Sequence, residues 1–125
     1  MKPSAKLLDQ ARRLAHDHLY AIVSVYETDK QTCVWASPSH QPIMGHDPKD
    51  MIGHSWMDFV APEDHSHANL VGADALLTGQ SIEVGMRART TTGHRLNLRG
   101  RAWIVPDPDT ETPFLFFKAD VVSEA

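Results

Sequence analysis

The order of strand and helix patterns along the chain predicts an α+β fold, a largely antiparallel sheet covered by helices on one face. Three observations carry that expectation. Two strand patterns near the N-terminus are joined by a short polar turn, three more near the C-terminus read as a meander, and a helical insert divides the two groups. Strands that follow one another through tight turns pair antiparallel, which disfavours a parallel βαβ arrangement. At 125 residues and 42% hydrophobic content, the chain matches one domain built around one core.

Residues 1–20 read as an N-terminal amphipathic flank and residues 21–125 as the domain proper. From Ala5 to about Tyr20, the residues Leu7, Leu8, Ala11, Leu14 and Ala15 recur at helical spacing, and His18 falls near the same stripe. The stripe is narrow and rich in Ala. It suits either docking on its own domain or pairing with a second copy, because a helix this short needs such support. Leu7, Leu8, Ala11, Leu14, Ala15 and His18 are therefore the expected dimerisation residues. His18 would make that contact pH-sensitive, since imidazole titrates near ~6.5.

AIVSVYE (Ala21 to Glu27) and CVWAS (Cys33 to Ser37) are rich in β-branched and aromatic residues, and TDKQT between them supplies the turn of a hairpin. Pro38, Pro42, Gly45, Pro48 and Gly53 then break the chain into pieces that fit only short helical turns. From Pro62 to Gly79 the pattern predicts a longer helix, with Leu70, Ala73, Leu76 and Leu77 on one face and TGQ as its stop. In the meander, Ile82, Val84, Met86 and Ala88 alternate with Glu83, Gly85, Arg87 and Arg89. Leu96, Leu98, Ala102 and Ile104 repeat that alternation in the next strand. The acidic turn PDPDTETP leads to FLFFKADVV, apolar enough for a central strand.

Arg87, Arg89, Arg95, Arg99 and Arg101 share the parity of the outward face. The expected register sets Arg89 opposite Arg95, a mildly unfavourable pair, and Glu83 opposite Arg101, which relieves part of the repulsion. Such a face is either plainly solvated or a dock for an acidic segment such as the PDPDTE turn of another copy.

Composition narrows the function. A single cysteine, Cys33, excludes an internal disulfide and a multi-cysteine zinc site, and its default role is that of a small buried apolar residue. A net charge of −4 gives no bulk drive toward nucleic acid. No run approaches the ~18–20 apolar residues that cross a bilayer, and MKPSAKLLDQARRLAHD lacks the apolar core of a signal peptide, so a cytoplasmic protein is expected. The fingerprints G-x-S-x-G, H-E-x-x-H, the P-loop and the dinucleotide motif are absent, and a non-enzyme is expected.

MDFVAPEDHSHANL gathers Glu63, Asp64, His65 and His67. Pro62 suits a helix start, and the two carboxylates complement the positive end of the helix dipole. His65 and His67, two apart, point about 200° away from each other on a helix and cannot clamp one metal. The remaining histidines, His16, His18, His40, His46, His54 and His94, fall at polar or turn positions, with His18 the exception already noted.

The central run WASPSHQPIMGHDPKDMIGHSWMDFVAPED closely resembles a PAS domain. The matching features are Ser37-Pro38 at the end of a strand, Met44-Gly45-His46 closing a short helix, the turn from Pro48 to Gly53, the apolar Trp56 to Val60, and Pro62-Glu63-Asp64 opening the long helix. MRARTTTGHRL and ADVVSE extend the resemblance through most of the chain. Departures are Ser37 where Asn is usual, Thr92 in place of Asp, and Asn97 where Trp is common.

The resemblance implies a five-stranded antiparallel sheet in the order 2-1-5-4-3 with helices on one face enclosing a pocket. It implies a sensory or signalling module that acts by dimerisation or by binding an effector or partner protein, as in two-component systems. Trp56, Phe59, His67, Leu70, Met86, Leu98 and Phe117 are the expected pocket residues, holding a small apolar ligand or simply filling the core. Light-sensing relatives need a Cys in the long helix, where this chain has DHSHANL. Some relatives bind haem through a His on that helix, at a position expected near Ala68 or Asn69. No cofactor or metal is expected, and haem held by His65 or His67 is the alternative.

Overall fold

The computed structural model of the chain describes residues 2–125. Helix α1 (Ala5–Asp17) precedes strands β1 (Ile22–Glu27) and β2 (Cys33–Ala36). Short helices α2 (His40–Met44) and α3 (Pro48–Met51) and two 3-10 turns, Trp56–Phe59 and Pro62–Asp64, lead into α4 (His65–Thr78). The chain then forms β3 (Ile82–Arg89), β4 (Arg95–Pro106) and β5 (Pro113–Glu124). All strand pairs are antiparallel, in the order β2-β1-β5-β4-β3. Arg89 stands opposite Arg95 and Glu83 opposite Arg101, as the alternation predicts.

Because successive side chains leave a strand on opposite faces, β1 sends Ile22, Ser24 and Tyr26 inward, toward α2–α4, and Val25 outward. The outward face is covered by α1. Leu7 and Ala11 are fully buried against Val25, Phe114 and Phe116, with Leu14, Trp35, Trp103 and Val105 packed around them. Burying a Leu in this way is worth ~1.5–3 kcal/mol.

Of the stripe expected to dimerise, Leu7, Ala11 and Leu14 pack on the helix's own sheet, the other of the two uses that the pattern allows. Leu8 and Ala15 are half-buried, and His18 is exposed beyond the helix end.

The acidic turn between β4 and β5 fixes the start of α1. Ser4 is the N-cap, its Oγ accepting from Leu7 N–H at 3.2 Å. The Ser4 hydroxyl donates to Asp107 Oδ1 at 2.6 Å, and the Ser4 N–H donates to Asp107 Oδ2 at 2.7 Å. Lys6 pairs with Asp109 at 3.2 Å. Asp107 is 1% exposed. Burial opposes its ionisation, but the bonds from Ser4 and from the amides of Asp109 and Thr110 hold its carboxyl below the usual range. The PDPDTE turn therefore serves this chain's own helix through Asp107 and Asp109.

On the other face, α4 ends where TGQ predicts, with Gly79 left-handed at φ 67° and its N–H bonded to the Ala75 carbonyl. Its buried side differs from the expectation. Val71 and Ala75 are buried, whereas Leu70 is 63% and Leu77 84% exposed. The apolar residues of the helix are spread around it among polar ones, so periodicity does not single out a face. Its small residues are the ones turned toward the sheet.

Candidate functional site

Between the inner face of the sheet and α2–α4 lies a cavity of about 330 Å³. Its floor is Ile22, Ser24 and Tyr26 of β1 with Met86, Leu98 and Phe117 of the other strands, and Ala68, Val71 and Gly72 of α4 form part of its roof. Small residues on α4 leave this space open. At Gly72 an added Cβ would meet nothing within 4 Å.

Of the seven expected pocket residues, Trp56, Phe59, Met86, Leu98 and Phe117 line the cavity, and His67 and Leu70 do not. Both are exposed on α4. Between them in sequence, Ala68 and Asn69 occupy the cavity wall instead. His65 is also engaged outside the cavity. Its Nε2–H donates to the carbonyls of Met57 and Val60, at 3.0 and 2.9 Å, and its ring meets Trp56 edge-on. Neither histidine of the long helix enters the cavity.

The carboxylates beside them anchor the roof rather than cap it. Asp64 makes no side-chain cap bond. Its Oδ2 accepts from the backbone N–H and Nε of Arg87, at 2.8 and 2.9 Å, and its Oδ1 from Nη2 at 2.8 Å. Glu63 pairs with Arg95. A bidentate guanidinium and an edge N–H are stronger partners than the dipole alone, and the Arg87 bonds pull the Asp64 carboxyl down to about 2. These contacts tie the start of α4 to β3 through Arg87 and to β4 through Arg95.

Two polar groups of the cavity were not singled out from sequence. Ser24 is 1% exposed and its Oγ has no hydrogen-bond partner. Burial, and after it the Cys33 sulfur, raises the pKa of the neighbouring Tyr26 phenol, and its side-chain interaction with Ser24 lowers it by less. His40 is equally buried, although its sequence position among prolines and serines reads as a turn.

The hydrogen bonds around His40 fix its tautomer. Ser39 Oγ–H donates to the Ala21 carbonyl at 2.7 Å, so Ser37 Oγ–H is the donor to Ser39 Oγ, also at 2.7 Å. Ser37 Oγ accepts from Val23 N–H at 3.0 Å. His40 Nδ1–H then donates to the Ser37 carbonyl at 3.0 Å, leaving Nε2 as a bare lone pair. Burial drives the ring's pKa down to about 4, so it is neutral at pH 7. Cys33 is buried beneath β2 with its thiol pushed up to about 12 by burial, an unreactive state.

A five-stranded sheet in this order, roofed by short helices over a cavity, is the architecture of a sensory domain. The family model described as the PAS fold matches residues 34–115, more than half of the chain, and the chain belongs to that family. Among solved structures, the PAS domain of a Colwellia psychrerythraea protein is 16% identical, with 92% of this chain and 97% of that one covered and a TM-score of 0.72. The N-terminal domain of a diguanylate cyclase with PAS/PAC sensor from Marinobacter aquaeolei is 20% identical, with 82% and 95% covered and a TM-score of 0.66. Drosophila melanogaster Cycle PAS-B with bound ethylene glycol is 14% identical, with 80% and 98% covered and a TM-score of 0.71. At these identities the likeness is one of fold. No curated protein matches the sequence.

Proposed function

We propose that this chain is a non-catalytic sensory module of the cytoplasm, which takes a small, largely apolar ligand into the cavity beneath α2–α4 and signals by association with a second copy or an effector partner. The observation that carries the reading is the cavity itself, about 330 Å³. Finished protein cores pack at crystal-like density with few voids larger than a water. Ligand sites run to ~300–1,000 Å³ and combine apolar walls with a few polar groups, which is the composition found here.

Output is assigned to surfaces other than the stripe of α1. Tyr20 is 91% exposed next to Leu19, and Leu70 and Leu77 lie uncovered on α4, the helix that a ligand would press against. Association through α4 couples occupancy to partner binding as a difference in affinity between two states.

Gly72→Leu tests the reading by filling the cavity from its roof. Toluene binding, followed by NMR titration, is expected to fall at least tenfold in the variant while the fold is retained. Undiminished binding would place the ligand elsewhere on the molecule.

A further inference from the structure

We infer that the cavity selects an uncharged ligand with an apolar body and a hydrogen-bond donor, received by His40 Nε2 and assisted by Ser24 Oγ; this rests on the ligand-binding reading above. Three observations converge. The Nδ1–H of His40 is committed to the Ser37 carbonyl at 3.0 Å, so the ring can offer the cavity only an acceptor. Ser24 is one of the cavity-floor residues, and its buried Oγ has no partner at hydrogen-bond geometry, its polar neighbour being the Tyr26 phenol; native interiors rarely leave such a group unpaired. A hydroxyl that both donates and accepts can complete a partner of either kind.

The third observation concerns charge. Among the described residues no Lys or Arg lines the cavity, and its charged wall residue is the acidic Glu27, bonded to Thr32 at 2.8 Å. A carboxylate or phosphate entering this space would lose its water without meeting a cation, a penalty that an apolar wall cannot offset. Anionic metabolites are thereby excluded. An ammonium ligand is also disfavoured: it would meet a neutral imidazole at His40, and the wall carboxylate of Glu27 is already bonded to Thr32. The remaining class is a compact neutral phenol, indole or alcohol. A site whose buried polar groups need a partner discriminates steeply against the analogue that lacks one.

Three probes of similar size separate the elements of this proposal: p-cresol, toluene and benzoate, each titrated into the intact chain and followed by NMR. Binding of p-cresol at least tenfold tighter than toluene is expected, with no saturable binding of benzoate. The 15N resonance of His40 Nε2 is expected to report an unprotonated nitrogen that shifts on adding p-cresol and stays in place with toluene, a readout that needs no substitution. Ser24→Ala is expected to narrow the p-cresol preference severalfold. Equal affinity for p-cresol and toluene, or an Nε2 resonance indifferent to both, would overturn the donor assignment and leave the cavity reading standing. Saturable benzoate binding at the p-cresol level would overturn the exclusion of anions. If neither neutral probe bound, both the inference and the reading beneath it would fall.

Discussion

On the outer face of the sheet, Val25, Phe114 and Phe116 are sealed under Leu7 and Ala11 of α1. On the inner face, Ile22, Ser24 and Tyr26 of the same strand border the cavity. One strand thus serves a finished core and an unfinished one, a single residue apart. The outer face satisfies its polar groups, with Asp107 meeting Ser4 at 2.6 and 2.7 Å. The inner face leaves a serine hydroxyl unpaired. Under the proposed function the contrast divides the sheet into a side for stability and a side for recognition, since sites that bind commonly keep strain or unmet contacts that the rest of the fold supports.

Four substitutions break or sharpen this contrast. Leu7→Ala opens the sealed face and is expected to cost ~2–5 kcal/mol, read as a lower urea midpoint, while p-cresol affinity of the folded protein is unchanged. A concurrent loss of binding would show that the faces are coupled. Asp107→Ala strands the Ser4 amide and loosens the helix start, with an expected loss of ~1–3 kcal/mol. The folded-state pKa of Asp107 is depressed, so its contribution is present above the unfolded value and is lost as pH falls through the folded one. Acid unfolding of the wild type should therefore begin with undocking of α1, seen as exposure of Trp103 by fluorescence.

Asp64→Asn unties the roof and is expected to cost roughly 1–2 kcal/mol. Here the stabilising increment is whole above pH 4 and disappears as pH falls from the ordinary 3.8 toward about 2. The variant's stability should be flatter than wild type over that interval, and a parallel pH profile would discount the pair. Smallest and opposite in sign is Ser24→Ala. Removing an unpaired buried hydroxyl is expected to leave stability unchanged or raise it by up to ~1 kcal/mol, measured by thermal unfolding of the ligand-free protein. A clear destabilisation would mean that the hydroxyl has a structural partner.

The sheet was legible because alternation fixes which residues share a face: the pairs Arg89 with Arg95 and Glu83 with Arg101 follow from parity and appear in the register. The stop of α4 was equally plain, since Gly79 takes the left-handed turn that TGQ advertises. The buried side of α4 was not. HANLVGADALL scatters its apolar residues among His67, Asn69 and Asp74 without favouring one face, and only the sheet decides that Val71 and Ala75 turn in while Leu70 turns out.

The cavity was half legible. Large apolar residues such as Phe59 and Phe117 suggest a lining, but His40 sits in a stretch whose serines and prolines read as a turn. Its burial follows from the bonds of Ser37 and Ser39 to Val23 and Ala21, distant in sequence. Ser24 did leave a signal, as a polar residue at an inward position between Val23 and Val25. Its lack of a partner required coordinates. The two carboxylates of the PED turn were placed on the helix dipole because their arginines lie 23 and 32 residues away, beyond the reach of local pattern.

The clamp of Ser4 on Asp107 joins residues 103 positions apart, and the aromatic bed of α1 comes from the strand that follows. On a ribosome the helix therefore emerges about a hundred residues before the surface it needs. Until β4 brings Trp103 and Val105, Leu7 and Ala11 have only Val25 and β2 for company, and a short amphipathic helix without its partner is marginal in water. Closure of the outer face is a late, long-range event that waits for β5, and the nascent chain carries an uncovered apolar stripe until then.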